Sequence, residues 1–461
     1  MWATLLQKGV VLYYLYISTW KDDVPLMISA VSLLSFLLSA RGNRLIGSEY
    51  SMARLSSIAA GAALTSAVSA LNLDVNNPSS IKSIAAEVAK GLYTYHDPSS
   101  TAGQFRQPQS WFWWESGSAW NALMDYTMYT GDTTYKADLL SSLAQNVGSN
   151  YDFAPAEQQN WEANDDQVYW VYNALSAMEY DFDALPCDTS NAKGDDSCAN
   201  SWLAIGTNAF NDFVTRWNKD SATCGGGLKW QYDETANGYY YKNSVSNGGF
   251  FQTAARLARY TGNQTFGDWA TKVWDWSTSV GFVSADFHVF DGAGDDKGAN
   301  CTSINKDEWS YNIASYLHGA AHMYAFTKDA AWETRVQGLL KAAQSTFFGP
   351  NSNATNVMYE QKCELSSACN VDQTSFKASL SRWLGKVAVL VPSTKATIEP
   401  LLQASASGAA LSCSGYGNST CGVQWYTGEF DGQSDLGVEL SALEAIQSLL
   451  ATSAPKLAVK S

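Results

Sequence analysis

The stretch WEANDDQVYW, Trp161 to Trp170, sets two adjacent aspartates, Asp165 and Asp166, in a frame of aromatic residues. Beyond them Tyr169, Trp170, Ala174, Leu175, Ala177 and Met178 recur at helical spacing, so an apolar helix is predicted over Asp166–Tyr180. Acidic residues suit a first helical turn, where free N–H groups and the macrodipole favour negative charge. Taken alone, the pair reads as a capped helix start. The rest of the chain decides whether it is more.

The same pattern returns along the chain. Apolar helices are predicted at Ser118–Thr130, Asn247–Tyr260, Trp309–Phe326, Asp372–Val387 and Asp435–Leu450, several closed by Thr-Gly-Asp or a similar turn. Between them lie amphipathic stretches with Lys, Asp and Glu on the polar face: Ser79–Tyr95, Thr134–Val147, Asn200–Trp217, Phe266–Val280, Ala330–Phe347 and Thr394–Ala406. Six apolar helices alternating with six amphipathic ones predict an all-α fold, an (α/α)6 barrel of six inner and six outer helices. An open α-solenoid has the same periodicity and is the alternative. Short hairpin-like pieces are expected near Gly225–Trp230 and Gly238–Tyr241.

Composition narrows the function. The 461 residues are 46% hydrophobic but only 16% charged, with formal net charge -15. Such an acidic chain repels phosphate backbones, which argues against nucleic acid as a partner. Eighteen Trp and 24 Tyr suit a ligand with flat C–H faces, such as a sugar, although aromatic cores use most of such residues. The histidines form no HExxH motif, and the Asp-rich loop DGAGDDKG (291–298) lacks a calcium-loop register, so a solvated turn is expected there. Neither a metal nor a cofactor is expected.

The eight cysteines lie in loops without a CxxC motif and read as disulfides of an oxidising compartment. Short loop closure favours Cys187–Cys198, Cys363–Cys369 and Cys413–Cys421, which leaves Cys224–Cys301. Sequons at Asn263, Asn300, Asn353 and Asn418 point the same way, to a secreted or cell-wall glycoprotein. Residues 52–70 have the basic start, apolar centre and small-residue end of a signal peptide. Residues 1–51 then read as an over-extended start, and 71–461 as one catalytic domain. Residues 24–40 form an uncharged run of borderline length for a membrane span, so a membrane is a partner only if that run is kept as an anchor.

In the barrel reading, the loops entering the inner helices gather at one rim: WFWWESGSAW (111–120), WEANDDQ (161–167), YYYKNSVSNGG (239–249), DEWSYN (307–312), CNVDQTSFK (369–377) and QWYTGEFDGQSD (424–435). The pieces WWESGSAWNALMDYTMYTGD (113–132), NDDQVYW (164–170), CGGGLKW (224–230), YKNSVSNGGFF (241–251), WSYN (309–312), DQTSFKASLSRW (372–383) and the closing LGVELSALEAI (436–446) resemble glycoside hydrolase family 76, the endo-α-1,6-mannanases and their fungal cell-wall relatives. Two positions depart from that pattern: Ile313-Ala314-Ser315 where glycine is expected, and Glu439 where an amide is more usual. The resemblance implies an (α/α)6 fold, a retaining attack on α-1,6-linked mannose in mannan, and a catalytic pair formed by Asp165 as nucleophile and Asp166 as general acid/base. A transglycosidase acting on the same glycans, or a mannan-binding protein without activity, are the alternatives.

The chemistry stands beside the resemblance. A retaining glycosidase needs two carboxyls about 5–5.5 Å apart. Consecutive residues reach that separation, since their Cα atoms are about 3.8 Å apart and the side chains splay. Repulsion between them drives the two pKa values apart, which keeps one protonated. Trp161 and Tyr169 are expected to desolvate the acid. Trp114, Tyr169 and Trp309 are candidates to line the sugar site, with Trp113 as a further stacking candidate. Asn247, Tyr311, Asn312, Asp372 and Gln373 are candidates for its hydroxyls, with helix capping as the bland alternative. Glu115 is expected to bind or pair rather than catalyse.

Overall fold

In the computed structural model of the chain, residues 70–460 are described, except 101, 107–111, 157, 159–161, 186–200, 297 and 417–418. The segment 1–51, the run 24–40, the leader 52–70 except its last residue, Trp161, Cys187, Cys198 and Asn418 therefore lie outside the described residues.

Twelve α-helices alternate in role among the described residues. The outer set comprises α1 (Pro78–Tyr93), α3 (Lys136–Asn146), α5 (Ser201–Lys219), α7 (Gln264–Val280), α9 (Ala330–Phe347) and α11 (Lys395–Ser412). The inner set comprises α2 (Trp113–Thr130), α4 (Asn164–Tyr180), α6 (Ser244–Thr261), α8 (Ser310–Thr327), α10 (Phe376–Leu390) and α12 (Leu436–Gln447). Each inner helix packs on the next, and α12 packs back on α2, so the ring closes. That contact excludes the open solenoid. The fold is an (α/α)6 barrel.

Burial explains the two kinds of helix. In α1 only one stripe is buried, Ile81, Ile84, Ala85, Val88, Ala89 and Leu92, the spacing of a helix with one wet face. In α12 every residue from Leu436 to Gln447 is buried. Ends are set by local chemistry. Asn77 caps α1 by accepting from the Ser79 and Ser80 amides, and Pro78 fills the first helical position, where no N–H is needed. The predicted Thr-Gly turns end α2 and α6 at Gly131 and Gly262, both left-handed at φ 81° and 71°.

The lower barrel is charged rather than oily. Arg256 on α6 pairs with Glu179 on α4 at 2.8 Å, Arg382 on α10 with Glu444 on α12 at 2.7 Å, and Lys386 on α10 with Asp125 on α2 at 2.9 Å, all buried. His318 stacks flat on Trp383 at 4.2 Å. Burial and these cations hold His318 and His322 well below the usual histidine range, so both are neutral. These three pairs join α4 to α6, and α10 to both α12 and α2, so five of the six inner helices take part.

Of the expected hairpin pieces, only Tyr241 enters a strand, and Lys229 makes an isolated bridge to Lys242. The small antiparallel sheet is β1 (Tyr241–Asn243), β2 (Gly292–Gly294) and β3 (Ile304–Asn305), with Asn243 opposite Gly292 and Gly292 opposite Asn305. A side chain at 292 would meet the Lys242 carbonyl at 2.3 Å, so only glycine admits this close pairing. The 291–298 loop is not the solvated turn its composition suggests. Asp295 is buried and accepts from the Lys229 ammonium at 2.5 Å and from the Thr223 hydroxyl at 2.8 Å. The buried Lys242 ammonium caps the carbonyls of Asp220, Thr223 and Gly226.

Disulfides join Cys363–Cys369 and Cys413–Cys421, as short loop closure predicted, and Cys224–Cys301, the pair left by elimination. The last bridges residues 77 apart and fastens the sheet to the barrel rim. Asn263 and Asn353 are exposed; Asn300 is exposed too, but its carboxamide oxygen accepts from the Cys224 amide. No helix among the described residues is long and apolar enough to cross a membrane.

Candidate active site

The mouths of four inner helices and β1 surround a cavity of about 370 Å³. Its lining combines Phe112, Trp114, Tyr169, Trp230, Tyr241, Tyr311 and Phe376 with Asp165, Asp166, Asp291, Asp372, Gln231 and Asn243. Four carboxyls and no lysine or arginine line this wall, so it rejects anions and suits a neutral polar ligand with apolar faces. A wider hollow, about 630 Å³, opens near Asp97, Arg106 and Asn146. It lacks paired carboxyls, and Arg106 there is bound to Asp97.

Asp165 and Asp166 stand at the second and third positions of α4, whose N-cap is Ala163. Asp166 Oδ2 accepts the Ala163 amide at 2.7 Å. This is half of a capping box, the other half being impossible because alanine has no acceptor. Capping and site membership thus coexist in one carboxyl.

The two aspartates have different surroundings. Asp165 accepts from the Asn243 carboxamide at 3.1 Å, from the Asp166 amide at 3.1 Å and from the Trp230 indole. Burial raises its pKa to about 7, a rise that these donors only partly oppose. Asp166 is raised well above the ordinary carboxyl range, first by burial and then by the negative charge of Asp165, with Glu162 and Asp372 adding to it. Asp166 therefore holds a proton more tightly than Asp165, which has more donors to its anionic form. Helix N-terminal amides favour that charge further.

The other walls are built from distant segments. Tyr311, from the start of α8, stacks face to face on Phe376 at 3.9 Å. Trp114 leans on Tyr169 at 4.6 Å, and its indole bonds Asp372, easing the rise that burial causes in that carboxyl. Asp291 accepts from the Tyr241 hydroxyl at 2.6 Å and from Asn305 at 3.2 Å. Beneath Tyr311, the buried Glu360 carboxylate accepts the Ser310 amide and hydroxyl and so caps α8.

Of the residues expected from sequence, Asp165, Asp166, Trp114, Tyr169, Tyr311 and Asp372 share this cavity, and six others do not. Asn247 is fully buried one turn deeper; its amide clasps Leu228 on both backbone groups and Asn243 O. The residue that faces Asp165 is Asn243, because α6 begins at Ser244 and not at Asn247. Asn312 is buried behind Asp291 rather than lining the cavity. Gln373 is spent on Asn370, each side chain accepting from the other's amide. Trp309 sits edge-on to Phe376 at 5.6 Å, outside the lining. Trp113 belongs to the core, stacked on Trp170 at 5.0 Å. Glu115 is buried in the first turn of α2. Trp230, Tyr241, Asn243 and Asp291 all lay in quoted motifs; what singles them out is the sheet register, which periodicity does not carry.

Comparison with known proteins follows the geometry. The profile described as glycosyl hydrolase family 76 matches residues 80–461. The chain is 41% identical over 387 residues to the mannan endo-1,6-α-mannosidase DCW1 of Eremothecium gossypii, covering 82% of this chain and 81% of that protein. It is 38% identical over 392 residues to the DCW1 enzyme of Saccharomyces cerevisiae, covering 84% and 82%. Among solved structures, Dfg5 from Chaetomium thermophilum in complex with glucosamine superposes with TM-score 0.77 at 33% identity, over 84% of this chain and 94% of that one. An inactive variant of the α-1,6-mannanase of Salegentibacter sp. HEL1_6, with two consecutive aspartates changed to asparagine and α-1,6-mannotriose bound, shares the fold with TM-score 0.63 at 18% identity, over 80% and 99%. An inner ring of six helices, an adjacent Asp pair at its mouth and these relatives agree: the chain belongs to glycosyl hydrolase family 76.

Proposed function

We propose that the protein is a retaining glycoside hydrolase that cleaves α-1,6-mannosidic bonds within mannan, and that it works outside the cell, at or near the cell wall. The observation that carries this reading is the contrast within the Asp165–Asp166 pair. Asp165 has three donors that favour its anion, and Asp166 has its pKa raised further, by burial and by the charge of its neighbour. In the reaction, Asp165 attacks the anomeric carbon while Asp166 gives its proton to the departing glycosidic oxygen. Asp166 then takes a proton from water, which releases the sugar from Asp165 with its original configuration. The aromatic walls at Trp114, Tyr169 and Tyr311–Phe376 suit the C–H faces of mannose.

The names of the related mannosidases and the paired aspartates of the inactive mannanase variant support this assignment. Disulfides and exposed sequons support the extracellular placement. The test is incubation with linear α-1,6-mannan. Shortened chains whose first-formed reducing end is the α-anomer by proton NMR fit the reading; β-anomers or intact chains overturn it. A second reading, transfer of the mannosyl group to a sugar hydroxyl, uses the same pair and is favoured by the aromatic enclosure, which limits water. Elongated or branched products in that assay identify it.

A further inference from the structure

Behind the Asp pair, away from the cavity, lies a cation that the chemistry above does not use. Arg216 projects from the last turn of outer helix α5. Its Nη1 donates to Asn164 Oδ1 at 2.9 Å and to Gln167 Oε1 at 2.5 Å. Asn164 and Gln167 are fully buried and bracket Asp165 and Asp166 on the first turn of α4. The guanidinium lies over the Tyr232 ring at 4.4 Å, which fixes its plane.

The two bracketed amides are themselves anchored. Asn164 Nδ2 donates to the Lys229 carbonyl at 3.0 Å, and its backbone amide donates to Trp230 O at 3.0 Å. Gln167 Nε2 donates to Asp152 O at 2.9 Å. One nitrogen of Arg216 therefore locks the catalytic turn to the segment that supplies the Trp230 indole to Asp165. Its positive charge also faces the buried Glu162 carboxyl, which neighbours Asp166.

We propose that Arg216 is a positioning residue for the reaction: by holding Asn164 and Gln167 together it fixes the first turn of α4, and with it the mutual orientation of the Asp165 and Asp166 carboxyls and the Trp230 donor. This rests on the mannosidase reading above. The partners of Arg216, Asn164, Gln167, Phe213 and Tyr232, stand outside the cavity lining, so its loss weakens the chemical step and leaves sugar binding in place. A displacement of about 1 Å at reacting groups is enough for roughly 10²-fold in rate. Lysine keeps the charge but not the planar stack on Tyr232, so it restores only part.

The experiment compares R216A and R216K with the wild-type protein on α-1,6-mannotetraose, together with thermal unfolding and the rate with added guanidinium at low millimolar concentration. The expected result is a kcat lower by about 30- to 100-fold in R216A, a KM within threefold, a smaller loss in R216K, and partial recovery of R216A by guanidinium but not by sodium. Wild-type-like kcat in folded R216A, or a KM rise with kcat unchanged, overturns the positioning role while the mannosidase reading stands. If R216A does not fold, R216K decides: full wild-type kcat overturns the proposal, and a lower kcat at unchanged KM supports it. No cleavage by the wild-type protein overturns both.

Discussion

The Asn243 carboxamide donates to Asp165 Oδ2 at 3.1 Å across 78 residues of sequence. The same side chain caps α6 by accepting the Ser246 amide through its oxygen. One residue thus ends β1, starts an inner helix and stabilises the anion of the proposed nucleophile. A hydrogen bond to the charged form lowers a carboxyl's pKa, so its removal raises it. In N243D the oxygen that caps α6 is kept, but the donor is lost and a negative charge is added. Asp165 then ionises only at higher pH, so the acidic limb of the kcat/KM profile should move upward by about one pH unit or more. A limb that stays in place would remove Asn243 from the account of Asp165.

Replacing either aspartate by asparagine should separate stability from activity. Both carboxyls have folded-state pKa values raised above the unfolded ones. Each folded group therefore binds its proton more tightly than the unfolded chain does, and stability falls as pH rises from about 4 through the folded values. Asparagine escapes that loss. D165N and D166N should lose about 10⁴-fold or more in turnover, yet melt at or above the wild-type temperature at pH 8, with the difference shrinking toward pH 4. Melting temperatures lower than wild type at pH 8 would contradict the burial argument.

The charged lower barrel gives a stability test remote from the cavity. E444Q leaves the Arg382 guanidinium, buried beside Trp383, with Asp125 3.5 Å away as its remaining acid. Breaking a buried pair by removing one partner typically costs about 3–5 kcal/mol. Urea unfolding should show a loss of that order. A loss below about 1 kcal/mol, the size of an exposed ion pair, would mean the network is far better hydrated than its burial implies.

The Cys224–Cys301 bridge closes a loop of 77 residues. Chain-entropy arguments give about 4.5 kcal/mol for a loop of that length. Changing both cysteines to serine should lower stability by several kcal/mol and, because the bridge holds the sheet that carries Asn243 and Asp291, reduce activity at temperatures below unfolding. Unchanged activity in the folded variant would show that the sheet is held by Lys229 and Asp295 alone.

Most of the fold was legible in the sequence, because inner and outer helices differ in a property that sequence displays directly. A helix buried all round, such as Leu436–Gln447, is apolar over most of its length, and one with a single buried stripe is amphipathic. Closure of the ring was not legible as periodicity; it depends on the packing of α12 against α2. The adjacent aspartates stood out because their spacing along the chain is also their spacing in the site. Asn243, Trp230 and Asp291 reach the same cavity through strand register and loop closure, which local pattern does not encode. Asn247, the residue expected at the rim, lies one turn too deep because α6 begins at Ser244, three residues ahead of the predicted start. Asp295 was read as solvated because a Gly-rich acidic run looks like a turn, and its partner Lys229 lies 66 residues away.

The division of labour between the two aspartates is the central claim, and covalent trapping tests it most directly. The protein would be treated with a mechanism-based α-mannosyl inactivator, digested and sequenced by mass spectrometry. A single mannosyl adduct on Asp165, absent in D165N and slowed in D166N, is the expected result. An adduct on Asp166, or none from a protein that cleaves α-1,6-mannan, would contradict the assignment of Asp165 as the attacking group.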